Sequence, residues 1–514
     1  MTEILIIDFG SQYTQLIFHT FMYKLAANVR LIDVVAFKKL NLTKDCPQLK
    51  AIVLSGSPRS VNMESVDIKV KPLAKHYYVL GICYGAQLIA KEYGCKLAST
   101  AGQYGEAVIS VTQEDDLFSN IPPRFKTWMS HGDHLVRVSK HVQVLAYAAN
   151  NMPAAWKVQK RIYGTQFHPE VNNTEYGQDI LRNFMNIAGV VPKRDKGSLV
   201  HQIMKQIKNQ VGQNKVLLAL SGGVDSTTLA YMLHRSIGSQ MRAVIIDNGL
   251  MRSNEISEIV EQFRSEPIEQ SIVVAHAEDM FIGRLAGVTD PELKRQIIGK
   301  TFIDVIISEG RKLEAQGFKA TFLAQGTIYP DVIESGAVPG SSVIKSHHNV
   351  GGLPKDIPFK LIEPFRYLFK DDVRLIANYL NIPIAMYTRK PFPGPGLAIR
   401  IIGAITEERL KIAREADLLL RSELARLEQN KRIWQTAAIL LPIKTVGVKG
   451  DNRSYEHVIA LRMVDSVNGM TAQSSLVPID TLHYIARQIT DHVRGVNRVV
   501  YDLSSKPPAT IEWE

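Results

Sequence analysis

Of the three cysteines in 514 residues, only Cys83 stands where its neighbours would make it reactive. Gly81-Ile82-Cys83-Tyr84-Gly85 joins a short apolar run to an amphipathic stretch, the form of a nucleophile elbow with Cys in place of Ser. Flanking glycines allow a tight turn that holds the thiol off a sheet at a helix N-terminus. The helix end and a nearby imidazole then favour the thiolate. The Tyr84 N–H would face an oxyanion, with a second donor from the turn Ser55-Gly56-Ser57-Pro58. Such a nucleophile needs a base. His168 follows a predicted strand, and Glu170, two residues on, can orient its ring where the backbone is extended. Cys46 and Cys95 have no such surroundings and read as small apolar filler.

A second constellation is Ser221-Gly222-Gly223-Val224-Asp225-Ser226, again between an apolar run and a helical pattern. The glycines let backbone N–H groups approach an anion, the helix N-terminus adds positive potential, and the serines add hydroxyl donors. This is a phosphate cradle without the Walker A spacing. Asp225 could hold a metal or orient the loop.

These loops need strands and helices behind them. Glu3–Phe9, Ala51–Leu54 and Val79–Ile82 read as buried strands, Tyr13–Ala26 and Gly85–Tyr93 as helices, and Trp156–Phe167 as strand, turn and strand. After a polar linker at Pro192–Gly197 the pattern restarts. Lys215–Leu220, Arg242–Asp247 and Ala320–Ala324 are predicted strands, and Thr227–Arg235 a helix. Arg389–Gly396 is rich in proline and glycine and suggests a boundary. A charged helix, Thr406–Gln429, and a strand-like run, Val458–Val464, follow it. The expected organisation is α/β. Two parallel-sheet α/β domains occupy residues 1–190 and 191–388, and a smaller α+β domain occupies 389–514.

Composition narrows the class. Hydrophobic residues at 45% and charged residues at 22% exclude a disordered chain and a collagen. No apolar run approaches the ~18 residues that cross a bilayer. The acidic N-terminus lacks the pattern of a signal peptide, and the sparse cysteines suggest a reducing cytoplasm. Lys+Arg 61 less Asp+Glu 50 gives +11, divided +5, +2 and +4 among the three segments. Without a basic tail or dense cluster, this charge does not argue for nucleic acid. It does suit a protein whose ligands are anions. An RNA substrate for the second loop and a non-enzymatic glutamine or nucleotide sensor are the competing readings.

Several longer motifs carry a resemblance. Ser55–Pro58, Gly81–Gln87 and Gln166-Phe167-His168-Pro169-Glu170 resemble the triad (class I) glutamine amidotransferases. The likeness implies that Cys83 attacks the glutamine side-chain amide and releases ammonia, with Gln87 and Ser130-His131-Gly132-Asp133 lining the glutamine pocket. Ser57 stands where that family usually has a second glycine, which bears on how freely the oxyanion peptide turns. Ser221–Ser226 resembles the loop of the PP-loop ATP pyrophosphatases, which adenylate a carbonyl oxygen and release pyrophosphate. Ile246–Arg252, Ala324–Ser335, Ile344–Pro354, Pro391–Leu397 and Lys506–Glu514 are similar to the glutamine-hydrolysing GMP synthase family over nearly the whole chain. That family adenylates XMP with ATP and Mg²⁺ and replaces AMP with ammonia to give GMP. The resemblance implies XMP contacts at Arg252, Asp331, Lys506, Ile511 and Glu512, a phosphate contact at Lys345, a homodimer, and no tightly bound organic cofactor. Arg389-Lys390, before the proline run, is a candidate lid element. The adjacent pair His347-His348 is not read as a zinc site.

Overall fold

Short apolar runs form strands buried on both faces, and these position both candidate loops. The structure is a computed structural model that describes all residues except 1, 12, 64–65, 172, 193–195, 335–356, 427–431, 450, 467–471 and 507. The described residues form two compact units, one within residues 1–201 and the other within 202–514.

The first unit is built on a nine-stranded sheet of β1 (Ile4–Asp8), β2 (Val29–Asp33), β3 (Ala51–Leu54), β4 (Tyr78–Ile82), β5 (Lys96–Val111), β6 (Arg124–Arg137), β7 (Val142–Tyr147), β8 (Pro153–Val158) and β9 (Ile162–Thr165). Their order is β2-β1-β3-β4-β9-β8-β7-β5-β6. The strands from β2 to β9 in that order are parallel. Side chains alternate between two cores: Ile4, Ile6 and Val53 enter one, and Leu5, Ile7 and Ile52 the other. The parallel sheet expected from sequence is extended by four antiparallel strands, β8, β7, β5 and β6. Residues of β6 alternate between outside and inside, so it never shows a continuous apolar run. The predicted helix Tyr13–Ala26 is an α-helix over Thr14–His19 that widens to a π-helical turn over Thr20–Lys24.

In the second unit β10 (Lys215–Ala219), β11 (Met241–Asp247), β12 (Ile272–His276), β13 (Ala320–Ala324) and β14 (Lys360–Ile362) form a parallel sheet in the order β12-β11-β10-β13-β14. The chain leaves β10 toward β11 and later returns on its other side as β13. The carboxyl end of β10 is therefore a topological switch point, where open α/β sheets bind ligands. A separate sheet joins β15 (Gln435–Lys449) and β16 (Asn452–Asp465) as a long antiparallel hairpin. β17 (Gln473–Ser474) and β18 (Val496–Tyr501) also pair with β16. Helices Glu407–Ala425 and Ile479–His492 contribute to one apolar core that runs from Leu217 to Val496. The proline- and glycine-rich segment packs into this unit. Gly396 has φ +66°, and a Cβ there would lie 2.4 Å from the Leu250 carbonyl oxygen.

Candidate active sites

Cys83 is the hinge between β4 and helix Tyr84–Glu92, with φ 52° and ψ −107°, a region that side chains other than glycine rarely enter. Its glycine neighbours are required by close approach. A Cβ on Gly81 would lie 2.5 Å from Ala86 N, and one on Gly85 would lie 2.3 Å from Leu54 O. Gly85 N–H donates to Ser55 O at 3.0 Å, which ties the elbow to the turn Ser55–Pro58. That turn is also braced from its side chains. Ser55 Oγ accepts from Phe9 N–H (2.9 Å), and the Ser57 hydroxyl donates to Phe9 O (2.9 Å). The family-atypical side chain at Ser57 therefore anchors the turn.

The imidazole lies against the same turn: a Cβ on Gly56 would be 3.3 Å from His168 Cε1. His168 Nδ1–H donates to Glu170 Oε1 at 2.7 Å, and both residues are buried. His168 follows a bend at Gln166-Phe167 after β9, and Pro169-Glu170 form a turn in place of the extended backbone expected. His168 N–H donates to Trp128 O (3.0 Å), and the Thr174 hydroxyl donates to His168 O (2.6 Å), so the backbone is pinned. Burial works against an imidazolium here, but the Glu170 carboxylate and the Cys83 sulfur outweigh it and raise the His168 pKa well above the usual value. Tyr13 meets the ring edge-on at 4.8 Å between centroids.

Around the thiol, Cys83 Sγ is 3.5 Å from Ser130 O, and Gln166 Nε2 is 4.0 Å from Sγ. Gln87 Nε2 donates to Asp133 O (2.7 Å) and Gln166 Oε1 (3.3 Å). Ser60 and Ser99 donate to the Asp133 carboxylate. His131 is only 5% exposed, and neither ring nitrogen has a hydrogen-bond partner among the described residues. Burial lowers its pKa to about 4, so the ring is neutral at pH 7. The structure thus gathers Cys83, His168, Glu170, Gly56, Ser57, Tyr84, Gln87 and His131 in one place. The arrangement supplies a thiol, a charge-paired imidazole and a polar lining, the parts of acyl-transfer chemistry.

In the second unit Ser221–Ser226 leads from β10 into helix Val224–Ile237, with Gly223 as N-cap. Gly222 has φ +72°, and a Cβ there would lie 2.6 Å from Ile259 Cδ1. The hydroxyls of Ser221 and Ser226 are 2.9 Å apart, and Ser226 Oγ accepts from Ser221 N–H at 3.2 Å. The segment after β13 packs on this loop: a Cβ on Gly326 would lie 3.0 Å from Ser226 N. It carries Asp331 toward Asp225. Burial pushes the Asp225 pKa up to about 6; Lys370 opposes that shift and Asp331 adds to it. Lys370 Nζ is 4.0 Å from Asp225 Oδ2, and Asp225 Oδ1 is buried without a hydrogen-bond partner among the described residues. Arg389 pairs with the buried Glu255 and donates to Gly222 O at 3.5 Å.

The remaining predicted contacts divide. Arg252 Nε lies 3.1 Å from Asp417, and its guanidinium stacks 4.2 Å from the Phe392 centroid. Burial lowers the Arg252 pKa to about 10. Arg400, fully buried, also reaches Asp417 (3.4 Å) and holds Glu512 through Nη2 (2.8 Å) and Nε (3.1 Å). Ile511 O accepts from Arg462 Nε at 2.9 Å. Lys506 pairs through its backbone with Ala472 (2.8 and 3.0 Å). Arg252 and Glu512 therefore share one charged layer, whereas Asp331 stands beside the PP-loop. Lys345, His347 and His348 lie outside the described residues. Sequence reasoning missed Lys370, Glu255, Asp417 and Arg400. For Arg400 a signal existed, a charge inside the apolar run Leu397–Ile402.

No helix among the described residues is long and apolar enough to cross a membrane, and no cluster of three or more metal-ligating side chains occurs among them. The family model for glutamine amidotransferase class-I matches residues 5–188, that for the PP-loop domain residues 197–279, and that for the GMP synthase C terminal domain residues 422–513. A Thermotoga maritima protein named GMP synthase (glutamine-hydrolyzing) is 46% identical over 99% of this chain and 100% of its own. Proteins of the same name from Brachyspira hyodysenteriae (45%, covering 100% of this chain and 99% of theirs) and Aquifex aeolicus (44%, 99% and 99%) agree. The three domains mark an enzyme that uses glutamine and ATP. With identity of this level along the whole length, the chain belongs to the glutamine-hydrolysing GMP synthase family.

Proposed function

We propose that the chain converts XMP to GMP with ammonia taken from glutamine, using ATP to activate the purine. The observation that carries this reading is the joint presence of a Cys83–His168–Glu170 cluster and a PP-loop in a chain with full-length relatives of that name.

In this reading the Cys83 thiolate attacks the side-chain amide carbon of glutamine. Backbone N–H groups of Tyr84 and the Gly56–Ser57 turn receive the oxyanion. His168, held as a cation by Glu170, gives its proton to the departing ammonia and later takes one from the water that cleaves the thioester. Gln87 holds strand β6 at Asp133, and His131 lines the pocket as a neutral ring.

In the second unit, N–H groups and hydroxyls of Ser221–Ser226 cradle the ATP phosphates. The XMP C2 oxygen bonds to the α-phosphorus, pyrophosphate leaves with the bonding electrons, and ammonia then displaces AMP. The donor chemistry near the loop suits Mg²⁺, which takes one or two carboxylates plus phosphate oxygens. Asp225, with a buried oxygen unpartnered among the described residues, and its neighbour Asp331 are the proposed ligands. We assign Arg252, Lys506, Ile511 and Glu512 to XMP. Residues 1–190 act as glutaminase, 191–388 as the ATP site, and 389–514 as the acceptor and dimer part, in a cytoplasmic homodimer. Exposed Ile443, Val446, Val448 and Tyr455 on the β15–β16 hairpin support a face for a second copy.

The test is to supply ATP, Mg²⁺, glutamine and XMP and assay GMP, AMP, pyrophosphate and glutamate. Equal yields of GMP and AMP are expected. AMP release that needs tRNA in place of XMP would overturn the reading.

A further inference from the structure

Two residues before His168, the Gln166 side chain is fully buried beside the nucleophile. Its backbone is fixed at the end of β9. Gln166 N–H donates to Ala154 O (2.8 Å), and the preceding Thr165 O accepts from Cys83 N–H (2.7 Å). Gln166 Nε2 lies 4.0 Å from Cys83 Sγ, and the sulfur is the one hydrogen-bond partner of that nitrogen among the described residues. On another side of the sulfur stands Ser130 O, at 3.5 Å. The mechanism drawn so far gives Gln166 no part.

The two ends of an amide side chain look alike, so its donor is located from its partners. The Asp133 backbone carbonyl can only accept, so Gln87 turns Nε2 toward it (2.7 Å). The other N–H of Gln87 then faces Gln166 at 3.3 Å, and the group it meets there must be the oxygen. Gln166 Nε2 is thereby committed to the sulfur. A buried N–H needs an acceptor. A neutral thiol is a weak one, whereas a thiolate accepts strongly. Two groups thus pull the sulfur in opposite directions: Ser130 O accepts from the protonated thiol, and Gln166 Nε2 favours the thiolate. The titratable groups around it are His168, which meets the sulfur directly, Glu170 behind that ring, and the neutral His131 on β6.

We propose that Gln166 is a further catalytic residue of the glutaminase: its side-chain N–H donates to the Cys83 sulfur and holds it as the thiolate once His168 has taken the thiol proton, while Asp133 and Gln87 keep that donor aimed. This rests on the reading of Cys83 as the nucleophile. The contact is long in the free protein and shortens as charge gathers on the sulfur, as catalytic hydrogen bonds do when substrate binds. The same donor stabilises the sulfur as leaving group when water cleaves the thioester.

Alkylation of the full-length protein by iodoacetamide, followed against pH and located at Cys83 by peptide mass, tests it, together with the pH profile of kcat/KM for glutamine. Gln166→Leu should move the pH of half-maximal alkylation up by about one pH unit, as loss of one hydrogen bond to a charged group does. The acidic limb of kcat/KM should move with it. Gln166→Glu, which sets a carboxylate against the sulfur, should move both profiles further the same way. Gln87→Leu frees the Gln166 amide to turn and should shift the alkylation profile by about half a pH unit. Ammonia-dependent GMP formation should be unchanged in the Gln166 variants. Unmoved profiles in Gln166→Leu, with or without a fall in rate, would mean a packing role and would sink the proposal, as would a parallel loss of ammonia-dependent activity. Should Gln166→Leu fail to fold, Gln87→Leu decides on the same alkylation profile. If Cys83→Ala keeps glutamine hydrolysis, the nucleophile reading itself falls. If it loses that activity and the Gln166 variants titrate like the native protein, only the role of Gln166 falls.

Discussion

The elbow at Cys83 and the loop at Ser221–Ser226 are both strand-to-helix turns built on glycines, yet their polar groups stand differently. At the elbow, protein groups hold the base and the pocket amide: Glu170 holds His168, Gln166 and Asp133 hold Gln87, and Ser57 holds Phe9 O, while Glu170 Oε2 and the two His131 nitrogens lack hydrogen-bond partners among the described residues. At the PP-loop and the charged layer near it, an oxygen of Asp225 and donors of Arg252 and Arg421 lack hydrogen-bond partners among the described residues. The first site is assembled before substrate arrives, because covalent catalysis needs a nucleophile and base already in register. The second is left incomplete: its arginine donors suit anionic ligands, and the Asp225 oxygen suits a cation.

Substitutions can break this contrast, and the largest effect is expected at the nucleophile. Cys83→Ala should reduce glutamine-dependent GMP formation by more than about 10⁴-fold and leave ammonia-dependent formation unchanged; the two assays run side by side decide it. If both activities fall, Cys83 is structural. Glu170→Gln should lower glutamine-dependent turnover by about 10²–10⁴-fold, again sparing ammonia, because the imidazole loses the charge that holds its proton.

Asp225→Asn should cut both activities by about 10²-fold or more. In the ligand-free protein the same change should stabilise. The folded-state pKa of about 6 lies above the unfolded value of 3.8. The associated stability is complete below 3.8 and is lost as pH rises through about 6. At pH 7–8 the variant should therefore gain about 3 kcal/mol, read as a rise in Tm. A lower Tm would contradict the picture of a site awaiting its ligand.

His131 gives the opposite sign in the other unit. Its pKa falls from 6.5 to about 4 on folding, so protonation favours the unfolded chain. Stability from this group is lost as pH drops below 6.5 toward 4, by about 2 kcal/mol at pH 5. His131→Asn should flatten the Tm profile between pH 7 and pH 5. An unchanged profile would mean that the ring is not held neutral by burial.

Much of this was legible without coordinates. Fully buried parallel strands announce themselves as apolar runs, which is why Ala51–Leu54 and Ala320–Ala324 were read to the residue. The antiparallel hairpin of β5 and β6 was not, since its half-exposed strands mix polar and apolar residues. Gly81 and Gly85 were read as turn glycines. The clash distances of 2.5 and 2.3 Å show that they serve close backbone approach. Resemblance puts Asp331 among the acceptor contacts; the fold also sets it near Asp225, because β13, which leads to it, pairs with β10.

The sequence by itself determined the two reactive loops, because their chemistry depends on residue types spaced a few positions apart between a strand and a helix. The pairings depend on which distant segments the folded sheet and core bring together. Only the tertiary structure decided that Ser57 anchors on Phe9, that Asp417 serves three arginines, and that Arg400 holds Glu512 across 112 positions. Local patterns reveal strands and turns. The partner of a buried charge is set by long-range packing, where desolvation penalises every charge left without one.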